Sequence, residues 1–315
     1  MKSIRILWRV LGCAAIAWAL AFTTPAVANE DEMKPFFMAY KTSGDMNAAV
    51  AEVKSKLAAG GFEVIGAYSP YPNATVIGVT NDAIKAFAAK SEFGGYAAAQ
   101  RISVTDMGGE IQVAYTNPTY MASAYRMEGN AADITAAMKA ALGAEMEYGP
   151  EEGMDDEDLR EYHYMFGMEY FDEPSELNEF DSYAAAVAAV EKGLKAGISG
   201  TSLIWRVDVP GKEETVFGVG LDGSGITPKG NQQDDAYIMG QIDFKPNRST
   251  AHLPYEILVS GKTAYALYAR FRIAINFPDL SMMGDNSFMR IMESPATIEK
   301  ALTLAAGGKP KKAAF

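Results

Sequence analysis

The sequence repeats itself at an offset of 137 residues. Residues 48–60 (AAVAEVKSKLAAG) match residues 185–197 (AAVAAVEKGLKAG) at eight of thirteen positions, of which four are alanines. A second match follows in the same order, because TVIGV at 75–79 pairs with TVFGV at 215–219. A third pairs YRME at 125–128 with MRIME at 289–293. Three matches in one order indicate a tandem duplication, so we expect the chain to fold as two copies of one unit.

Each copy alternates strand and helix patterns. In the first copy, strands are predicted at 35–42, 62–68, 74–79, 99–105 and 111–116, and helices at 46–59, 81–89 and 134–142. In the second copy, apolar and polar residues alternate over 263–276, which predicts one long strand with Arg270 and Arg272 on its polar face. The predicted fold class is therefore α+β: a two-layer antiparallel sheet with helices on one face, duplicated in tandem.

The first 28 residues are predicted to be a cleaved signal peptide. Three basic residues precede an apolar stretch at 10–22, and AVA at 26–28 has the small-x-small pattern of a cleavage site. The stretch is shorter than the roughly 20 residues that span a bilayer, so cleavage after Ala28 and a periplasmic or secreted location are expected rather than a membrane anchor. Cleavage would remove the single cysteine and three basic residues, changing the formal charge from −12 to −15.

Charge and residue counts exclude several classes of function. An acidic chain with a pI near 4.8 has no basic footprint for nucleic acid or anionic lipid. A mature chain without cysteine has no disulfide, no thiol nucleophile and no iron–sulfur ligands. Two histidines and no cysteine cannot complete a Cys₂His₂ zinc site.

The predicted organisation has five segments. They are a signal peptide at 1–28, a first repeat at 29–146, an acidic linker at 147–161, a second repeat at 162–309 and a basic tail at 310–315. The surrounding residues 145–181 carry fifteen carboxylates and one basic side chain, Arg160, which favours a solvated linker. The run DDED at 155–158 lacks the turn glycine and regular oxygen spacing of a calcium loop.

Several short motifs resemble the domain-of-unknown-function 302 family. They are GGFEV at 60–64, YTNP at 115–118 and HLPYEILV at 252–259. The block YHYMFGM at 162–168, followed by FD at 171–172, is similar to exported bacterial members that carry two such units. The resemblance covers nearly the whole mature chain. It implies a two-layer α+β fold that often self-associates, so a homo-oligomer is expected, and it carries no established reaction.

A candidate anion pocket lies in the second copy. Two arginines two residues apart on one strand face would form a fork for a carboxylate or phosphate, and a nearby histidine and glutamate would add acid–base groups. The alternative is that both arginines pair with acidic side chains of the protein. The predicted ligand-binding residues are His252, Tyr255, Glu256, Tyr268, Arg270 and Arg272.

A candidate metal set is His163, Met165 and Met168. Imidazole and thioether are soft ligands that suit copper, and haem ligation is a second option. A strand would place His163 and Met165 on the face opposite Met168, so the alternative is a packed first strand of the second copy. No cofactor is expected by default. The pattern GxGxxG at 218–223 is interpreted as a turn, because no helix follows it to meet a pyrophosphate.

Three classes of function remain open at this stage. The first is a non-enzymatic exported protein that binds a small molecule or anion in a cleft between the two copies. The second is an interaction or scaffold protein whose acidic face docks a basic periplasmic partner. An enzyme comes third, because no nucleophile signature accompanies the few groups that titrate near neutral pH.

Overall fold

The computed structural model describes residues 32–164, 167–224 and 230–310. The predicted signal peptide, Met165 and residues 311–315 of the predicted tail lie outside the described residues. Within the described ranges, no helix is both long enough and apolar enough to cross a bilayer.

Two antiparallel sheets with the same strand order make up the fold. The first contains β1 Phe36–Thr42, β2 Glu63–Tyr68, β3 Ala74–Thr80, β4 Gln100–Asp106, β5 Ile111–Thr116 and β6 Met146–Tyr148. The second contains β7 Ser175–Glu179, β8 Thr201–Asp208, β9 Glu214–Leu221, β10 Tyr255–Ser260 and β11 Thr263–Ala266. The first sheet is ordered β2-β3-β4-β5-β1-β6 and the second β8-β9-β10-β11-β7. The second sheet thus repeats the order of the first, with β6 as an added edge strand.

Helices occupy matching places in the two halves. Those of the first half are α1 Met46–Ala59, α2 Asp82–Ala88, α3 Pro118–Ala124, α4 Ala132–Leu142 and α5 Asp156–Arg160. Those of the second half are α6 Tyr183–Lys195, α7 Asp235–Ile242, α8 Ala269–Asn276 and α9 Ser294–Ala305. Because α1 packs on the first sheet and α6 on the second, the predicted arrangement of helices on one face of each sheet is confirmed.

The α1 and α6 helices begin and pack in the same way. Asp45 caps α1 by accepting a hydrogen bond from the Ala48 amide, and Ser182, 137 residues on, caps α6 at Ala185. The buried residues Ala49, Val53 and Leu57 of α1 correspond at the same offset to residues 186, 190 and 194 of α6, which are also buried. One amphipathic pattern therefore specifies both helices.

The strand irregularities are repeated as well. The register of β2 against β3 shifts between Val64 and Gly66, and that of β8 against β9 shifts between Leu203 and Trp205. The first strand of each half also has an irregularity, in β1 near residue 39 and in β7 near residue 177. β-Bulges change the direction of side chains in a defined way, so their repetition places Gly66 and Trp205 at equivalent positions.

The faces of the two sheets that carry no helices pack against each other. The indole of Trp205 lies between Gly78 of β3 and Gly218 of β9: a Cβ atom would approach it to 2.5 Å at Gly78 and 2.3 Å at Gly218. Every residue of β9 is buried, and all of β4 except its last residue. The polar side chains of these inner faces are therefore buried between the sheets. The sequence pattern had predicted only that one face of the sheet is core and the other is polar. The two sheets therefore lie face to face, with α1 on the outer side of the first and α6 on the outer side of the second, whereas α3 and α8 meet each other, because the Tyr120 hydroxyl donates to the Ile275 carbonyl at 2.7 Å.

Two local predictions were wrong. Residues 263–276 form β11 and then helix α8, so Arg270 and Arg272 do not share a strand face. The block around His163 is not the first strand of the second half, because that strand is β7. The Asn-Pro pair at 117–118 follows the end of β5 and begins α3: the Asn117 side chain caps the helix and Pro118 occupies its first turn.

The residues predicted as an acidic linker, 147–161, are folded onto the first half. Tyr148 belongs to β6, which pairs with β1, and its hydroxyl donates to the Arg248 carbonyl at 2.6 Å. Helix α5 packs against α3 and buries Leu159. The carboxylates of this segment therefore project from a folded element.

Candidate ligand-binding site

Helix α8 separates the two arginines of the predicted anion pocket. Residues two apart on an α-helix point about 200° apart, so one arginine faces the interior when the other faces solvent. The Arg272 side chain is 1% exposed, whereas that of Arg270 is 38% exposed. The structure brings together His252, Tyr255, Glu256 and Arg272 in the interior and leaves Tyr268 and Arg270 partly exposed.

Arg272 belongs to a central charged cluster formed by Arg101, Glu256 and Arg272. Its Nη1 donates to Glu256 Oε2 at 2.9 Å, and its Nη2 donates to the His252 carbonyl at 2.6 Å. Arg101 from the first sheet donates to the same Glu256 oxygen at 3.4 Å. Protein groups thus occupy the fork that was predicted to receive an external anion.

His252 is buried beside this cluster. Its Nε2 lies 3.4 Å from the Tyr255 hydroxyl, and its ring packs edge-on against Tyr255 and Phe277. Burial, with a further contribution from Arg272 and Arg101, lowers the pKa of His252 well below its ordinary value. His252 is therefore neutral and enclosed, which does not fit the predicted role as an acid–base group for a bound ligand.

Arg270 pairs with an acidic residue on the outer side of α8. Its Nε donates to Glu169 Oε2 at 2.5 Å, and its Nη2 contacts the other oxygen of the same carboxylate. The guanidinium also lies 5.6 Å from the centre of the Tyr268 ring. Both arginines pair with acidic side chains, as the alternative interpretation expected.

A largely apolar cavity of about 220 Å³ opens next to Arg270. We call it the methionine pocket. Among the described residues that line it are three methionines and three aromatic residues, and within this set Arg270 is the one charged side chain. These six are Tyr164, Met168, Phe277, Met282, Phe288 and Met292.

The methionine pocket is built from α8, α9 and the segment between them. Ile273 and Ala274 of α8 form one wall and Ala296 of α9 contributes to another. The connecting segment, 277–293, folds back so that the Phe288 amide donates to the Ser281 carbonyl at 2.8 Å. The equivalent connection in the first half, between α3 and α4, is only residues 125–131. The longer segment makes this pocket a property of the second half.

The predicted metal ligands do not converge in the described part of the chain. The His163 ring packs on Tyr170 at 4.7 Å, and its Nδ1 lies 3.4 Å from the Glu161 carbonyl oxygen. Met168 lines the methionine pocket, whereas Met165 is outside the described residues. Over the described ranges, no group of three or more His, Cys, Asp or Glu side chains is placed to hold a metal ion.

A second, more open cleft of about 550 Å³ lies between the two halves. Tyr71 and Thr105 line it from the first half, and Asp243 and Arg248 line it from the second. Burial raises the pKa of Asp243 to about 7, although the Ser249 amide and Arg248 oppose the shift. The sequence predicted a cleft between the copies but named other residues, because nothing in its local pattern marks Asp243 as buried.

The GxGxxG pattern is mostly strand. Gly218 and Gly220 lie within β9, where Gly218 makes room for the Trp205 indole. Only the last residues, 222 and 223, leave the strand for a turn. Packing between the sheets therefore explains the first glycine of the pattern.

Comparisons with known proteins give one match. No protein-family model matches the chain, and no curated protein matches it. Among solved structures, an uncharacterized conserved protein DUF302 from Bacillus stearothermophilus is similar at 20% identity. The alignment covers 33% of this chain and 94% of that chain, with a TM-score of 0.29. The functional proposal therefore depends on the residues of this chain alone.

Proposed function

We propose that this protein is an exported, non-enzymatic binding protein for a small amphipathic molecule with an anionic head group. The observation that carries the proposal is the methionine pocket, a largely apolar cavity that has Arg270 among the described residues that line it. Ligand sites are commonly concave and mainly apolar, with a few polar groups that orient the ligand. The signal-peptide pattern at 1–28 supports export.

The apolar part of the ligand would lie among the methionine and aromatic side chains. Met168, Met282 and Met292 are unbranched, so they adapt to different apolar shapes. Phe277 and Phe288 provide flat, rigid surfaces. This combination favours an alkyl chain or an aromatic ring over a sugar or a nucleotide.

The head group of the ligand would meet Arg270. Glu169 holds the guanidinium at present, and its side chain is 14% exposed. A carboxylate or sulfonate on the ligand would share or replace that partner, because guanidinium groups bind such oxyanions through paired hydrogen bonds. Glu169 would then act as a competitor that limits affinity for anions.

A blocked variant tests the site. We expect anilinonaphthalene sulfonate to fluoresce in the presence of the wild-type protein, and laurate to displace it. Ala296 is exposed and lines the pocket, so Ala296→Trp should fill the cavity and weaken probe binding at least about tenfold. Ala184→Trp places the same side chain on an exposed position of α6 and serves as the control. Equal probe binding by both variants would overturn the proposal.

The role of Arg270 can be tested separately. Glu169→Gln should free the guanidinium and raise the affinity for laurate, while the affinity for dodecanol, which has the same chain and no charge, should not change. If both ligands respond equally, the head group does not meet Arg270.

We also infer that each half is one unit of the domain-of-unknown-function 302 type. The motifs at 60–64, 115–118 and 252–259 support this assignment, and so does the repetition of strand order and bulges between the halves.

A further inference from the structure

A third, much smaller cavity lies in the first half, beside the central charged cluster. Its volume is about 10 Å³, enough for one water-sized occupant. Tyr96, Arg101 and Tyr125 are among the residues that line it. All three side chains are at most 4% exposed. The described residues that line the cavity thus include five polar ones, these three together with Gln100 and Thr116.

These three residues have donor groups without partners. Within the described residues, Arg101 Nε and the hydroxyls of Tyr96 and Tyr125 are buried and have no hydrogen-bond partner. Burial of an unsatisfied donor is costly, and native proteins rarely leave several together. Phe171 packs on both tyrosine rings, which fixes the positions of the two hydroxyls. The arrangement is that of a site preformed for an acceptor.

The charge of the surroundings favours a negatively charged acceptor. Arg101 and Arg272 share one carboxylate, that of Glu256, so the central charged cluster has one positive charge in excess. Two more buried carboxylates lie near the cluster. Glu214 is compensated by Lys212 at 3.0 Å. Asp235 interacts with Arg272, but burial raises the pKa of Asp235 to about 7, so below that pH it does not cancel the excess charge. A buried charge without compensation is costly, and an anion in the cavity would supply that compensation.

We propose that the cavity binds one monatomic anion of the halide class, chloride under ordinary conditions. Arg101 Nε and the hydroxyls of Tyr96 and Tyr125 would donate to it. Polyatomic anions such as phosphate and sulfate are too large for the space. Burial raises the pKa of Tyr96 well above its ordinary value, so its hydroxyl keeps the proton that it would donate. The site is separate from the methionine pocket and does not depend on its function.

Anion-dependent stability tests the proposal. The melting temperature of the full chain should be higher in sodium chloride than in sodium gluconate at equal ionic strength, and it should rise with the chloride concentration, because a ligand that binds only the folded state stabilises it. Tyr125→Phe removes one donor and should weaken the chloride effect about tenfold in concentration. Tyr183→Phe also removes a hydroxyl hydrogen bond, to Thr215, but far from the cavity, and should keep the full effect. Equal melting temperatures in the two salts would overturn the proposal.

Crystals grown in bromide give a second, independent readout. An anomalous peak between Tyr96, Arg101 and Tyr125 is expected in the wild type and should be lost in Tyr125→Phe. A water molecule in its place would show that the excess charge is tolerated without an anion, and the proposal would be wrong. Ala296→Trp should keep both the chloride effect and the bromide peak, whatever it does to probe binding.

Discussion

Arg101 and Glu256 occupy the same register position in the two sheets, and they pair with each other. Arg101 of β4 lies opposite Gly78, Glu256 of β10 lies opposite Gly218, and the two glycines match in the sequence repeat. Arg101 Nη1 and Glu256 Oε2 are 3.4 Å apart across the packed sheets. Equivalent positions therefore carry opposite charges and meet in the interior.

Trp205 and Gly66 are related in the same way, since they follow the same bulge in β8 and β2. Trp205 is 2% exposed and packs on Gly78 and Gly218. We expect Trp205→Ala to lower the free energy of unfolding by about 3–5 kcal/mol, because a large cavity would remain between the sheets. Urea unfolding followed by circular dichroism measures the effect. Ile198→Ala, at a 41% exposed position, should change it by less than about 1 kcal/mol.

Glu256 compensates two buried arginines. Glu256→Gln would leave both without a counter-ion and should cost about 3–5 kcal/mol in the free energy of unfolding. Glu179→Gln breaks the solvent-exposed pair with Lys262 and should leave the free energy of unfolding nearly unchanged. Similar losses in the two variants would mean that the central charged cluster is hydrated and contributes little.

Asp243 makes stability fall as the pH rises. Its pKa is about 7 in the folded protein and 3.8 ordinarily, so between these values the folded state keeps a proton that the unfolded state has lost. This group therefore lowers the free energy of unfolding by about 1.4 kcal/mol per pH unit from roughly pH 4 to pH 7, and has no further effect above that range. As the pH rises through the same range, the free energy of unfolding of Asp243→Asn should increase relative to that of the wild type. Asp285→Asn, at an exposed site, should not, and a constant difference between Asp243→Asn and the wild type would contradict the buried titration.

His252 acts in the opposite direction. Its pKa is lowered well below the ordinary 6.5, so the unfolded state takes up a proton below pH 6.5 that the folded state refuses. Its contribution to stability is complete above pH 6.5 and is lost as the pH falls, by up to about 1.4 kcal/mol per unit. His252→Gln should remove this loss, measured as the difference from the wild type in urea unfolding at pH 5.0 and pH 7.0. An unchanged difference would mean that His252 titrates alike in both states.

Local patterns predicted most of the fold but not the place where α8 begins. The cap at Asp45 and the spacing of Val53 and Leu57 specify α1 at its observed bounds, 46–59. Nearly every residue of α8 is buried, and a helix that is buried on all sides shows no 3.6-residue hydrophobic period. The sequence therefore contains no helix signal there. The alternation that begins in β11 continues into α8, so the strand was predicted to extend to residue 276.

The sequence found part of the interior cluster because its members are close together in the chain. His252, Tyr255 and Glu256 lie within five residues, and β10 precedes β11 and α8 directly. Arg101 was missed because contact across the sheets leaves no periodic signal. The methionine pocket was missed for a related reason: Phe277, Met282 and Phe288 lie in an irregular segment, and their convergence depends on how it folds back.

The pairing of Trp205 with the glycines of both halves has an evolutionary consequence. In a symmetric dimer of identical subunits, each substitution would appear twice, so a bulky residue would face its own copy and an arginine would face an arginine. Joining two units in one chain removes that restriction. The two halves of one chain can therefore differ, and they do: the second half has the longer 277–293 segment and the pocket that it lines, whereas the first half has only residues 125–131 at that place.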